Sequence, residues 1–322
     1  MAIGTFRLPI MAAGGGGIDY STDIFTGSGT WNKPANLDYV LVLIVAGGAG
    51  GGSGRRGAAN TNRGAGRGNN GGVLLLRINA SDLDSTEGVV VGAGSAGAPG
   101  KLTDNTNGSN SSPGGTSSFA GYVVNGILGY GGGTSMVWSA GAGISTTIVN
   151  YFNRIYIQNY TRANSGFVSI SDTDRGFGAP QNGLVYTISA SSVGGQIDSS
   201  NTQKNSGDLA GYYNKAGVLT DEWSGVGEGE PGVVPQSSLT FGDWLNHIWG
   251  WFDAADANYL IGRPGGGGGP GDTAGTVAGG AGANGIGYGA AGGGGGASTN
   301  GANSGAGGDG TDGIVIIINV LT

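Results

Sequence analysis

Apolar residues in this chain gather into short unbroken runs, separated by long stretches with hardly any side chain. The runs Tyr39-Val-Leu-Val-Leu-Ile-Val45, Val73-Leu-Leu-Leu-Arg-Ile78, Val89-Val-Val91 and Ile314-Val-Ile-Ile-Ile318 have strand character and are rich in β-branched residues. A continuous apolar strand predicts burial on both faces. Asp82-Leu-Asp-Ser-Thr-Glu-Gly88 has the residues of a turn between two such strands. Helical periodicity is nearly absent. The one helix candidate is Phe241 to Tyr259, with Ser238 or Asp243 as its cap and Gly250 interrupting it.

Between the runs lies glycine, 75 residues of 322. It is concentrated in three blocks: Gly47 to Gly72, Gly92 to Gly133 and Gly265 to Gly313. Flexible linkers are one reading of such blocks. Each block, however, is entered or left by an apolar strand. Glycine also loses more backbone freedom on ordering than any other residue, so order here needs a large compensation. Extended threefold helices of glycine supply one, because without Cβ they lie side by side and exchange backbone hydrogen bonds. Collagen follows the same steric logic at its axis, but its strict third-residue glycine is missing from Gly47-Gly-Ala-Gly-Gly-Gly-Ser-Gly54. Runs such as Gly265–Gly269 and Gly292–Gly296 suit a sandwich of packed polyglycine helices, where every face is bare. The expected fold is therefore mainly β with packed polyglycine-II-type helices, and few or no α-helices apart from a short one in 241–259.

Composition closes several functional classes. With no cysteine there is no disulfide framework, thiolate metal site or cysteine nucleophile. A single histidine, His247, rules out a multi-histidine metal centre. A net charge of −7 argues against nucleic acid as a partner. No apolar run reaches the roughly 18 residues of a membrane span. The start, MAIGTFRLPIMAAGGGG, reads poorly as a signal peptide because Pro9 and the glycines break its apolar stretch.

Four segments in order carry a resemblance. They are Phe25-Thr-Gly-Ser-Gly-Thr-Trp-Asn-Lys-Pro34 with the following strand and glycine block, Val89-Val-Val-Gly-Ala-Gly94, Gly114-Gly-Thr-Ser-Ser-Phe119 and Gly307-Gly-Asp-Gly-Thr-Asp-Gly-Ile-Val-Ile316. Together they resemble the glycine-rich, polyglycine-sandwich domain of bacteriophage tail fibres and receptor-binding adhesins. The resemblance covers 25–133 and 263–318. It implies a virion protein for host attachment, not an enzyme, without cofactor or bound metal, and commonly a homotrimer. Its partners would be a neighbouring tail or virion protein and a host cell-surface receptor, either a glycan or an outer-membrane protein. The alternatives are a purely structural virion protein (head fibre, decoration or collar component) and a glycan depolymerase.

On this reading residues 1–24 form a virion-docking segment, with Phe6, Leu8, Pro9 and Ile10 as its contacts. Residues 25–133 and 263–322 are the two parts of the glycine-rich domain, and 134–262 is an aromatic-rich insertion. Its aromatics Tyr212, Tyr213, Trp223, Trp244, Trp249 and Trp251 are candidates for receptor contact. The same residues would equally serve as the core of a small inserted domain or as a trimer interface. The polar loop Lys101–Pro113 is a second contact candidate, since rigid scaffolds carry function on their loops.

Other residues with chemical capacity read as structural. His247, between Asp243 and Asp253, reads as a structural or contact histidine. Asp221, Glu222, Glu228 and Glu230 read as solvated acidic turns, not a catalytic carboxylate pair. The spacing of Asp309 and Asp312 is similar to one copy of a calcium-binding repeat, but a single copy shares no ion with a neighbour. They read as caps on backbone amides. Arg55, Arg56, Arg63 and Arg67 read as a solvated loop, with an acidic neighbouring chain or anionic lipopolysaccharide as the alternative partner.

Overall fold

The structure is a computed structural model. It describes residues 19–126, 128–134, 149–151, 154–156, 183–186, 193–206, 212–213, 219–220, 226–233 and 264–322. These residues form a mainly β protein of antiparallel sheets. Among them the only helical element is one 3-10 turn, Ala80–Asp82. The helix candidate at 241–259 lies outside the described residues.

The first sheet has five strands: β1 (Asp19–Phe25), β3 (Leu37–Val45), β5 (Val73–Asn79), β11 (Gly183–Tyr186) and β17 (Ile314–Leu321). They lie in the order β1-β17-β3-β5-β11. The last strand of the chain thus sits between two early ones, pairing Ile316 with both Leu43 and Ile24. Its residues from Ile314 to Val320 are all buried, as a continuous apolar run requires.

The second sheet is β2-β6-β7-β8, formed by Gly29–Asn32, Thr86–Val90, Ser117–Phe119 and Tyr122–Val124. The two sheets close over one core. Val40, Val42, Ile44, Leu74, Val315 and Ile317 come from the first sheet, and Trp31, Val89, Phe119 and Val124 from the second. Trp31 is 1% exposed and stands edge-on to Phe119, with ring centroids 5.6 Å apart. Its indole Nε1 donates to Asn319 Oδ1 and to Asp23 Oδ2, both at 3.1 Å. Asn319 Nδ2 in turn donates to Ser21 Oγ and Asp23 Oδ2. The Asp82–Gly88 turn joins β5 to β6, but those strands do not pair. It carries the chain from one sheet to the other.

The glycine blocks leave the sandwich at the ends of its strands. Residues 46–54 run out from β3, and 64–72 return to β5. Residues 92–115 leave β6 and return to β7, and 290–313 run out and back to β17. Their hydrogen bonding repeats every three residues, whereas a β-ladder alternates every two. The N–H groups of Gly48, Gly51 and Gly54 donate to the carbonyls of Thr311, Gly308 and Gly305, at 2.8–3.0 Å. Those of Ala49, Gly52 and Arg55 donate to Asn69, Arg67 and Gly64, and those of Ser53 and Arg56 to Ser109 and Thr106.

The carbonyls of the same segment accept from three further neighbours. Gly48 and Gly51 accept from Ser95 and Ala98. Ala49, Gly52 and Arg55 accept from Gly292, Gly295 and Ser298. Ser53 accepts from Gly132. Residues 47–56 are therefore enclosed on all sides by backbone. A Cβ built on Gly51 would stand 1.8 Å from the carbonyl oxygen of Gly293, and one on Gly294 the same distance from that of Gly66. Only glycine fits there.

Residues 193–206 and 226–233 fall within the stretch read as an insertion, yet they bond into this body. Gly194 and Gly195 donate to Gly66 and Gly268, while Gly266 and Gly269 donate to Val233 and Glu230. Three short antiparallel pairs are described in that stretch: β9 (Val149–Tyr151) with β10 (Arg154–Tyr156), β12 (Gln196–Ile197) with β13 (Gln203–Lys204), and β14 (Tyr212–Tyr213) with β15 (Leu219–Thr220).

Candidate contact surface

Where the glycine segments reverse, side chains return to the sequence. Five loops meet at the end of the body away from the sheets: 57–62, 102–107, 198–202, 272–277 and 299–303. Three of them turn on an asparagine with positive φ: Asn60 at 59°, Asn105 at 56° and Asn201 at 58°. Asparagine is among the few residues with a side chain that tolerate this conformation.

These asparagines also join the loops in pairs. Asn60 N–H donates to Asn201 Oδ1 at 2.9 Å, and Asn201 Nδ2 donates back to Asn60 Oδ1 at 2.6 Å. Asn105 and Asn300 repeat the arrangement.

Two arginines lock the loops from beneath. Arg63 is 0% exposed. Its Nη1 donates to Thr299 Oγ1, its Nη2 to Asp198 O and Asn201 Oδ1, and its Nε to Thr61 O. Thr299 Oγ1 passes the link on to Asp272 O. Burial pulls the Arg63 guanidinium below its ordinary value, against the charge of Asp198. Arg56 donates to Asp104 Oδ1 at 2.6 Å, to Leu102 O and to Asn303 Oδ1. Arg55, Arg56 and Arg63 are all buried, which corrects the expectation of a solvated arginine loop. Each backbone sits in the glycine body and directs its side chain along the loop bases. Arg67 lies further down the body, with its guanidinium 4.5 Å from the Tyr130 ring centre.

Three carboxylates fasten the loops, Asp198 and Asp272 each within its own and Asp104 between two. Asp198 Oδ1 accepts from the N–H groups of Ser200 and Thr202. Asp104 Oδ1 accepts from Gly301 N–H, and Asp272 Oδ1 from those of Gly275, Thr276 and Val277. The Gly301 amide, together with Arg56, holds Asp104 below the usual carboxylate range, and the Thr202 amide leads the same effect on Asp198. Burial acts to raise Asp272, but its four donors together outweigh it and bring the group down.

The outward face of this loop cluster carries amides, hydroxyls and the carboxylates of Asp104 and Asp198, with Leu102 73% and Val277 36% exposed among them. Among the described residues no group of three His, Cys, Asp or Glu side chains could hold a metal ion. Asp309 and Asp312 act as caps, accepting from Gly97 N–H and Gly94 N–H at 2.8 Å. They replace carbonyl acceptors at a three-residue interval along 94–97.

Of the contacts expected from sequence, loop 101–113 contributes its first half to the cluster. Trp223, Trp244, Trp249 and Trp251 lie outside the described residues, as do Phe6, Leu8, Pro9, Ile10, His247, Asp221 and Glu222. Tyr212 and Tyr213 form β14, paired with Thr220 and Leu219. Glu228 accepts from Gln203 Nε2, and Glu230 from Gly227 N–H. The loop cluster does carry a signal in the sequence. The chain's three Asn-Thr pairs, at 60, 105 and 201, are its three positive-φ asparagine turns among the described residues. Compared with models of known protein families and with curated proteins, the chain matches none.

Proposed function

We propose that this chain is a bacteriophage tail fibre or fibre-tip protein that attaches the particle to a host cell-surface receptor, without enzymatic activity. The four ordered segments that resemble phage adhesins support this reading. So does the three-residue repeat of backbone hydrogen bonds, which we take as a lattice of threefold polyglycine helices. A threefold helix rises about 3.1 Å per residue, so the nine residues 46–54 would hold the loop cluster about 28 Å from the sheets.

The observation that carries the proposal is the contrast between that body and its end. The body has almost no side chains with which to recognise anything. The end gathers five loops and fixes them before any partner arrives. A surface ordered in advance loses little entropy on binding. Many copies on one particle would then add avidity to weak single contacts. Residues 2–17 would dock the chain to a neighbouring virion protein, and the fibre would act as a homotrimer.

The test is binding of the purified protein to a panel of bacterial cells, with Leu102→Glu and Ser200→Lys placed together on the loop cluster. Binding to a subset of strains that the double variant loses, with the fold intact, supports attachment through this end. If wild type and variant bind equally, the contact lies elsewhere, with the aromatics of 134–262 first in line. If no strain is bound, a structural virion role becomes the better account.

A further inference from the structure

We infer that, of the Asn-Gly pairs among the described residues, Asn125–Gly126 is the one that deamidates first, and that the loop cluster is built to resist the same reaction. In an Asn-Gly pair the glycine amide, once deprotonated, attacks the asparagine Cγ. The Cγ–Nδ2 bond breaks and ammonia leaves with a proton from water. The succinimide so formed is opened by water at either carbonyl, giving aspartate or isoaspartate. Glycine favours the attack because it places no Cβ in the way. The step needs a free backbone N–H and an accessible Cγ.

Five such pairs lie wholly within the described residues: Asn70–Gly71, Asn107–Gly108, Asn125–Gly126, Asn284–Gly285 and Asn300–Gly301. In four the nucleophile is engaged. Gly71 N–H donates to Gly289 O, Gly108 N–H to Gly132 O and Gly285 N–H to Asp309 O, at 2.7–2.9 Å. Gly301 N–H donates to Asp104 Oδ1 at 3.2 Å. Their side-chain oxygens accept hydrogen bonds too, as that of Asn125 does, so the state of the N–H is what separates the sites. Asn70 Oδ1 accepts from Ala291 N–H, Asn107 Oδ1 from Arg55 Nη1, Asn284 Oδ1 from Asp309 N–H and Asn300 Oδ1 from Asn105 N–H.

Asn125–Gly126 differs. Among the described residues the Gly126 N–H makes no hydrogen bond, and both residues are half-exposed. The Asn125 Oδ1 accepts a hydrogen bond from Thr116 Oγ1 at 3.0 Å. That oxygen gains negative charge as the amide nitrogen adds to Cγ, so the hydroxyl strengthens its bond in the transition state. Thr116 is thus a positioning residue for the reaction. Asn125 sits where β8 hands over to the glycine segment, its carbonyl accepting from Gly72 N–H. A carboxylate there leaves the loop cluster untouched, and its two Asn-Gly pairs, at 107 and 300, stay amides.

The test is peptide mapping by mass spectrometry of the full-length protein aged in mildly alkaline buffer, with an aliquot in denaturant as reference. Freeing an amide from one hydrogen bond changes its availability several-fold to about tenfold. The peptide with Asn125 should therefore convert to the acid, with isoaspartate, roughly tenfold or more faster than the other four. In denaturant the five rates should converge. Thr116→Val should slow conversion at Asn125 in the folded protein only, and Thr116→Ser should restore it. Equal rates at all five sites in the folded protein, or earlier conversion at Asn107 or Asn300, would overturn the inference. So would no conversion at Asn125 while the denatured reference reacts.

Discussion

Asn105 and Asn300 lie 195 positions apart and hold each other by two 3.0 Å hydrogen bonds, one from backbone to side chain and one between side chains. Each asparagine therefore finishes the other's turn. Replacing Asn300 by alanine removes both bonds and leaves the Asn105 N–H without its acceptor. A loss of about 1–2 kcal/mol is expected. Asn201→Ala should cost more, because besides both bonds to Asn60 it removes an acceptor of the buried Arg63 and puts alanine at a φ of 58°. Amide shifts in the two loops should move independently, and a change confined to neither loop would contradict the pairing.

Glycine at 51 and glycine at 88 should answer alanine in opposite ways. A Cβ on Gly51 meets the Gly293 carbonyl oxygen at 1.8 Å, and backbone on both sides cannot give way. On Gly88, nothing lies within 4 Å. Gly51→Ala should cost more than about 4 kcal/mol or prevent folding, while Gly88→Ala should stay within about 0.5 kcal/mol of wild type. Denaturant midpoints measure both. A tolerated Gly51→Ala would mean that the segments are not closely packed.

Acid should loosen the loop cluster before the body. Asp104, Asp198 and Asp272 titrate below their ordinary value in the folded protein. Their contribution is therefore present in full above the unfolded value of about 3.9, and is lost as pH falls through the depressed folded values. Amide resonances of Thr202, Gly275 and Gly301 should shift at low pH, while those of Val42 and Ile316 stay in place. Simultaneous loss of both sets would argue against separate fastening of the loops.

The buried pair Trp31 and Asn319 ties the two sheets together. Asn319→Leu keeps the branched shape and the number of heavy atoms but removes one acceptor of the indole and the donor to Ser21 and Asp23. A loss of about 1–3 kcal/mol is expected, because Asp23 and Ser21 then lie against an apolar group. A gain in stability would show that the polar cluster is dispensable.

The apolar runs at 39–45, 73–78 and 314–318 were legible as strands because each carries its own pattern. Their arrangement was less so. The turn at 82–88 reads as a hairpin, yet Leu37–Val45 and Ile314–Leu321 pair across most of the chain, and β5 and β6 lie in different sheets. Within the glycine blocks, register cannot be read from residue types, because glycine has no side chain to mark a face. For the same reason Gly194 and Gly195 gave no sign that they belong to the body. The arginines at 55–63 misled, since charge ordinarily marks solvent. Here Arg63 finds enough carbonyl and hydroxyl acceptors to be buried.

The account stands on the glycine body being a hydrogen-bonded lattice and not a linker. Amide hydrogen exchange of the full-length protein, resolved by residue, tests this most directly. The account predicts that Gly48, Gly51, Gly292 and Gly295 exchange as slowly as Val42 and Ile316 in the sheets, because each donates to a carbonyl at 2.8–2.9 Å. Exchange of these glycines at the rate of an open chain, while the sheets stay protected, would contradict it.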